Sequence, residues 1–306
     1  MDDLKVQIGS MSLKNPIIPA SGTFGFGKEF MDFINIEKLG AVLTKSITLQ
    51  ERLGNPQPRL YETSSGLLNS IGLENKGFEY FDSTIYPFLS NLNTSRWVSI
   101  AGSSIEEYWE LAERLELKTI DAIEVNVSCP NVKSGGVQFC QNQEMLKSVV
   151  SGVRKRTKKT ILIKISLETQ SIQQAAKLIQ DEGADGICVG NTIKGIAINI
   201  KTKKPLFANI YAGLSGPAIK PIALRAVWDV YKAVPELPII GCGGISTWID
   251  VIEFLLGGAS AVEIGTINLI RPQSMIHILE GLEAYCLEQK TALRSLIGLA
   301  HQREDA

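Results

Sequence analysis

Short, near-continuous apolar runs alternate with longer stretches of helical period along the chain. Residues 16–22, 41–47, 97–102, 122–128, 160–166, 186–191, 238–244 and 261–266 each read as a strand. Runs of this kind belong to strands buried on both faces, as in a parallel sheet covered by helices. Between them, residues 105–117, 144–157, 171–182, 219–234, 246–256 and 274–288 carry apolar positions at the 3.6-residue spacing of amphipathic helices. Ser171, Ser246 and Ser274 stand where N-caps are expected, and Gly183 and Gly257 where helices stop. Eight strands interleaved with helices predict an α/β chain closed into a (β/α)8 TIM barrel. An open doubly wound sheet more often shows G-x-G-x-x-G after its first strand, and that turn is absent. One domain over residues 1–306 is expected. Two long insertions, 48–96 and 193–217, fall at the C-terminal face of the strands, and the second reads as a hairpin. Connections that long inside a compact domain are usually functional.

Composition narrows the function classes. Lys plus Arg is 31 and Asp plus Glu is 32, for a formal charge of −1, which argues against a nucleic-acid surface. No apolar run approaches the roughly 18 residues of a membrane span, and Met1-Asp-Asp-Leu-Lys5 lacks the layout of a signal peptide. The expectation is a cytoplasmic protein with no membrane contact. The five cysteines form no C-x-x-C pair and there are only two histidines, so neither a metal site nor an iron–sulfur cluster is expected in this chain.

Barrel enzymes carry their chemistry at the C-terminal strand ends. Those ends read Ala20-Ser21-Gly22, Thr44-Lys45-Ser46, Asn126-Val-Ser-Cys129-Pro-Asn131, Lys164, Gly190-Asn191-Thr192, Gly243-Gly244 and Gly265-Thr266. The glycines after strands seven and eight occupy the common phosphate position, where backbone N–H groups approach an anion, although glycines there also make simple tight turns. Lys45 and Lys164 end apolar strands and need an anion or acceptor. A flavin would serve both; a structural ion pair is the alternative. Lys14 and Lys220 are less specific. Cys129 follows a strand and precedes Pro130, a place for a nucleophile or general base. Cys188, Cys242 and Cys286 read as small buried hydrophobes, and Cys140 stays open between the two. Asn69, Asn126, Asn131 and Asn191 are singly ordinary turn residues; together they suit a flat ring with carbonyl and N–H groups, such as a pyrimidine.

At these residues the sequence resembles a known family. Asn15-Pro-Ile-Ile-Pro-Ala-Ser-Gly22, Thr44-Lys-Ser-Ile-Thr48, Leu68-Asn-Ser-Ile-Gly-Leu73, Asn126-Val-Ser-Cys-Pro-Asn-Val132 and Gly213-Leu-Ser-Gly-Pro217 resemble the dihydroorotate dehydrogenases, over roughly residues 6–272. The resemblance implies an FMN barrel that oxidises (S)-dihydroorotate to orotate in pyrimidine biosynthesis. It is closest to the soluble class with a cysteine base. The continuation Lys133-Ser-Gly-Gly136 looks like the NAD-linked, type B catalytic subunit. That branch implies a homodimer working with an electron-transfer subunit that carries FAD and a [2Fe-2S] cluster. By motif, Cys129 would take the proton from C5 while hydride leaves C6 for the flavin. Asn69, Asn126, Asn131, Asn191 and Thr192 would hold the pyrimidine, with backbone contacts from Ile71, Gly72 and Leu73. Lys45 would bridge substrate and flavin. Ala20, Ser21, Gly22, Ser46, Asn126, Lys164, Gly216, Gly243, Gly244, Gly265 and Thr266 would hold FMN. Cys140, Cys242, Tyr211 and the tail 291–306 depart from the family pattern. The rivals are the fumarate-linked branch, a tRNA dihydrouridine synthase, a flavin-free phosphate-binding barrel and a non-catalytic flavoprotein scaffold.

Overall fold

The structure is a computed structural model and describes residues 2–128 and 139–303. Eight parallel strands form one sheet: β1 (Ile17–Pro19), β2 (Ala41–Leu43), β3 (Ser95–Ile100), β4 (Ala122–Asn126), β5 (Thr160–Ile165), β6 (Gly186–Val189), β7 (Ile239–Cys242) and β8 (Ala261–Ile264). Their order is β1-β8-β7-β6-β5-β4-β3-β2. The Gly40 N–H donates to Ile17 O at 2.9 Å, which brings the two edges together as a barrel. Among the described residues, nearly all strand positions are buried, as the continuous apolar runs require.

Six long helices follow β3 to β8 in turn: α1 (Ile105–Glu116), α2 (Gln143–Arg156), α3 (Ile172–Asp181), α4 (Lys220–Ala233), α5 (Trp248–Leu256) and α6 (Ser274–Gln289). Their apolar faces pack on the outside of the barrel. α1 and α2 approach closely because Gly152 has no side chain: a Cβ there would sit 1.9 Å from Trp109 Nε1. The caps differ from expectation. Ser171 does precede α3, but it is left-handed (φ 51°) and makes no cap bond. α5 is capped by Thr247 rather than Ser246, in a reciprocal box with Asp250. Ser274 lies inside α6, one residue past its uncapped N-cap position. Gly183 does end α3 with a positive φ, whereas at α5 the left-handed residue is Gly258, one past Gly257.

The insertion 48–96 is less irregular than its sequence implies. Residues 77–89 form a helix with a π-helical turn at Phe81–Ile85, burying Phe78, Phe81, Ile85 and Leu89. Pro87 and the extra residue of the π turn break the even period that would otherwise have announced it. At the opposite end of the barrel a hairpin, Val6–Ile8 with Met11–Leu13, fits Val6, Ile8 and Leu13 against Ile18, Trp97, Leu162 and Ile240. It plugs the N-terminal mouth with apolar contacts, and its three-residue strands are too short to show a period.

The C-terminal mouth carries a four-stranded antiparallel sheet built from both insertions. Ile193–Ile196 pairs with Tyr211–Ser215, the expected hairpin; Tyr211–Ser215 then pairs with Gly66–Asn69, which pairs with Leu60–Thr63.

Candidate active site

On β4, Glu124 and Asn126 are two residues apart and therefore share one face of the strand. Each starts a polar network. From Asn126 the network runs along the rim. Its Nδ2 donates to Ser46 Oγ at 3.2 Å, and Ser46 shares a 2.8 Å hydrogen bond with Ser99. Its Oδ1 accepts from Ser128 Oγ at 2.6 Å, and Ser128 in turn accepts from the Asn191 amide. Asn191 Oδ1 accepts from the Thr192 N–H at 2.8 Å. Strands β2, β3, β4 and β6 are thereby linked by side chains that the sequence places at their ends.

From Glu124 the network runs into the barrel. Ser21 Oγ donates to Glu124 Oε1 at 2.8 Å, and Lys164 Nζ donates to Ser21 Oγ at 3.2 Å. Lys164 Nζ lies 2.5 Å from Glu263 Oε2 and 3.4 Å from Glu124 Oε2. The Cys188 thiol donates to the other Glu263 oxygen at 3.1 Å. These side chains are sealed: 4% exposed for Lys164 and 1% for both glutamates. Among the described residues Glu124 Oε2 has no hydrogen-bond donor. Burial pushes the Glu263 carboxyl well up, the Glu124 charge pushes it further, and Lys164 opposes both. Burial is the largest influence on Glu124 and acts to raise it, but the Lys164 ammonium and the hydrogen bonds the carboxyl receives together outweigh burial and hold it low. Burial alone would lower Lys164; the two carboxylates instead hold its pKa well up.

Lys164 thus realises the ion-pair alternative as well as its place at a strand end. Lys45 does not. Its backbone N–H bonds Gly25 O at 2.7 Å, while among the described residues its half-buried ammonium has no hydrogen bond or ion pair. Lys14 donates to the Glu37 and Asn93 carbonyls, and Lys220 pairs with Asp250 and Glu253. Both are structural.

The remaining predicted residues surround this rim. Gly22 has φ +97°, and a Cβ there would enter open space, so the backbone is bare toward the mouth. Gly243 (φ +135°) and Gly244 (φ +75°) follow β7. A Cβ on Gly244 would come within 2.6 Å of Lys220 N, so the turn cannot be built with another residue. Ala20 bonds through its N–H to Ile264 O, at 2.8 Å, just before Gly265. Thr266 Oγ1 donates to Ser215 Oγ at 2.8 Å, beside Gly216, and so ties the turn after β8 to the sheet at the mouth. Asn69 donates its amide to Gly213 O at 3.1 Å, locking the two insertions together, rather than joining the Asn126–Asn191 network. Ile71, Gly72 and Leu73 form a turn in which Leu73 has φ 57°, an unusual conformation for leucine. Asn75 clasps that turn by donating to Leu73 O at 2.8 Å and to Thr48 Oγ1 at 2.9 Å. Cys129 and Asn131 lie outside the described residues. Cys140, Cys242 and Cys286 are buried, and burial pushes the Cys140 and Cys286 thiols up.

Sequence reasoning missed Glu124 and Glu263. The signal was present: Ala-Ile-Glu124-Val-Asn and Ala-Val-Glu263-Ile set a lone charge inside an apolar strand. A buried charge requires a partner, and among the described residues Lys164 is the lysine at matching depth. A flat anionic cofactor such as FMN fits the residues present. The bare Gly22 backbone leaves room for a ring, the glycine turns lie after β7 and β8, and Lys45, a cation with no partner among the described residues, stands just past β2.

Comparison with known proteins points one way. A sequence model described as dihydroorotate dehydrogenase matches residues 3–286. The chain is 48% identical over 287 residues to a Parabacteroides distasonis protein named dihydroorotate dehydrogenase B (NAD(+)), catalytic subunit, covering 94% of each. Proteins of the same name from a Thermoanaerobacter species and from Desulforamulus reducens are 47% and 45% identical, covering 92% and 98% of this chain and 93% and 99% of theirs. Among solved structures, DHODH from Eimeria tenella in complex with ferulenol superposes with a TM-score of 0.82 at 22% identity, over 99% of this chain and 89% of that one, a likeness of fold.

Proposed function

Because the chain belongs to the dihydroorotate dehydrogenase family, we propose that it oxidises (S)-dihydroorotate to orotate, as the NAD-linked catalytic subunit of pyrimidine biosynthesis. The observation that carries this reading is the rim itself: the hydrogen-bonded chain Ser46–Asn126–Ser128–Asn191, and next to Ser46 in sequence Lys45, whose ammonium has no ion pair or hydrogen bond among the described residues. An amide chain reads the carbonyl and N–H edges of a pyrimidine, and a free cation receives its carboxylate or the charge that develops nearby.

FMN, when bound, supplies the two-electron acceptor that takes hydride from C6. Every other role falls to the chain. Cys129 accepts the C5 proton on its sulfur, since a thiolate is the basic form of that side chain. Asn69, Asn126, Asn131, Asn191 and Thr192 orient the ring, with backbone contacts from Ile71, Gly72 and Leu73. Lys45 would bridge substrate and flavin. Ala20, Ser21, Gly22, Ser46, Asn126, Lys164, Gly216, Gly243, Gly244, Gly265 and Thr266 would hold FMN, the glycine turns after β7 and β8 taking its phosphate. All of these act within one FMN-binding barrel domain over residues 1–306. The electrons pass to NAD through a separate subunit carrying FAD and a [2Fe-2S] cluster, with this chain as a homodimer. The working place is the cytoplasm; among the described residues no helix is long and apolar enough to cross a membrane.

The test is anaerobic mixing of the purified chain with dihydroorotate while the oxidised-flavin absorbance is followed. Bleaching supports the reaction in this chain alone. A yellow protein that does not bleach has another substrate, and a protein that stays colourless after FMN is added rejects the flavin reading.

A further inference from the structure

The turn at residues 71–73 is held on two sides. On the first, the Asn55 N–H donates to Ile71 O at 2.9 Å, and a Cβ on Gly72 (φ +79°) would lie 2.5 Å from Asn55 Oδ1. Leu73 follows with φ 57°. A left-handed conformation costs a leucine free energy and persists where its surroundings impose it. The second side is Asn75, which is 4% exposed. Its Oδ1 accepts from the Thr48 N–H at 3.2 Å and from the Gly77 N–H at 2.9 Å. Its Nδ2 donates to Leu73 O at 2.8 Å and to Thr48 Oγ1 at 2.9 Å. The Thr48 hydroxyl gives its single proton to Gln50 O, at 2.5 Å, so toward Asn75 it is an acceptor. These partners fix which way the amide points. Reversed, its NH2 would face two N–H donors and its oxygen would face the Leu73 carbonyl. The Asn75 backbone exchanges two further hydrogen bonds with Arg52, at 2.8 and 3.0 Å.

Thr48 stands three residues past Lys45 and two past Ser46. One buried amide therefore joins the segment that carries those two residues to the turn at 71–73. We propose that Asn75 is a positioning residue for substrate: it holds Leu73 left-handed and sets the backbone of Ile71, Gly72 and Leu73 in register with the Lys45–Ser46 segment. This rests on the reading that the turn contacts the pyrimidine. Asn75 itself needs no contact with the ring. Backbone contacts of this kind are made to the bound substrate and to the transition state alike, so their loss raises KM and leaves kcat in place.

Asn75→Asp separates the two halves of the amide. It keeps an acceptor for the Thr48 and Gly77 N–H groups and sets a carboxylate oxygen against Leu73 O. In anaerobic bleaching of the FMN-loaded chain, the dihydroorotate concentration for half-maximal rate should rise roughly ten- to a hundredfold, with the limiting rate within about threefold of wild type. A lower melting temperature with unchanged half-saturation, or a fall in the limiting rate alone, overturns the proposal. Crystal structures of the ligand-free full chain, wild type and Asn75→Asp, test the turn without any substrate. Leu73 should be left-handed in the first and leave that region in the second; a Leu73 that stays left-handed in Asn75→Asp overturns the proposal. If dihydroorotate does not bleach the wild type, the substrate reading has failed, and the two crystal structures decide whether Asn75 sets the turn. If Asn75→Asp does not fold, Thr48→Val decides, because it removes one acceptor of the same amide. Half-saturation should then rise about two- to tenfold, the scale of one hydrogen bond, and an unchanged value overturns the proposal.

Discussion

Two lysines lie toward the C-terminal ends of β2 and β5, and only their partners distinguish them. Lys164 is held by two glutamates inside the barrel, whereas Lys45 has no such partner among the described residues. The same amine is therefore a scaffold in one place and, in the function proposed above, the working charge in the other. For Cys129, the base in the proposed reaction, similar logic applies. A thiol has a reference pKa near 8.5, so little of it is thiolate at neutral pH. The reductive half-reaction should therefore rise with pH through that ionisation and level off above it. Cys129→Ser should slow the half-reaction by about 10²–10⁴-fold without loss of flavin; stopped-flow bleaching across a pH series reads both effects. A pH-independent rate in the wild type would remove the cysteine from that role. The polar strand ends were legible because a side chain that interrupts an apolar run must meet something polar. Glu124 and Glu263 were legible as charges but not as a cluster, because which strands adjoin, and in what register, is a long-range property.

The helices show what periodicity carries and what it leaves out. α1 to α6 were readable because each buries one stripe, but their ends depend on which small polar residue reaches a free N–H. At α5 that residue is Thr247, and Asp250 returns the bond. Asp250 also accepts from the Ser246 and Thr247 N–H groups at 2.8 Å each and pairs with Lys220 at 2.7 Å. Burial works to raise its pKa; the Lys220 ammonium and these N–H donors outweigh burial and lower it. A carboxyl lowered in the folded state adds stability above its unfolded pKa, near 3.9, and loses it as pH falls through the lower folded value. Asp250→Asn should accordingly cost about 1–2 kcal/mol near neutrality, mostly from the cap, because the Lys220 pair is partly exposed. That gap should shrink from about pH 5 toward about pH 3 as the wild-type carboxylate is protonated. Urea midpoints for the two proteins at each pH supply the comparison, and a gap that widens in acid contradicts the assignment.

Across the whole molecule, the two ends of the chain meet. The first turn, Asp2–Leu4, packs against Leu293–Leu296, and the segment beyond it returns across α4 and α5. Leu293 and Leu296 are buried, Gly298 N donates to Leu255 O at 2.9 Å, and His301 stacks on Trp228 with ring centroids 3.5 Å apart. This tail was opaque in the sequence because its short turns carry no period; its contacts make it part of the barrel wall. Truncation after Lys290 should lower stability by on the order of 4 kcal/mol, the scale of two lost core leucines. A thermal melt reads the loss, and an unchanged melting temperature would show the tail to be ornamental. The barrel itself was legible because eight apolar runs and six amphipathic stretches leave few topologies. The sheet across its mouth was not, since Asn69 and Gly213, 144 residues apart, meet only in the finished molecule. That separation matters while the protein is being made. At synthesis rates of about 5–20 residues per second, Gly66–Asn69 leaves the ribosome on the order of ten seconds before Tyr211–Ser215 can join it. Throughout that interval the nascent chain carries an open strand edge that any neighbouring polypeptide can fill.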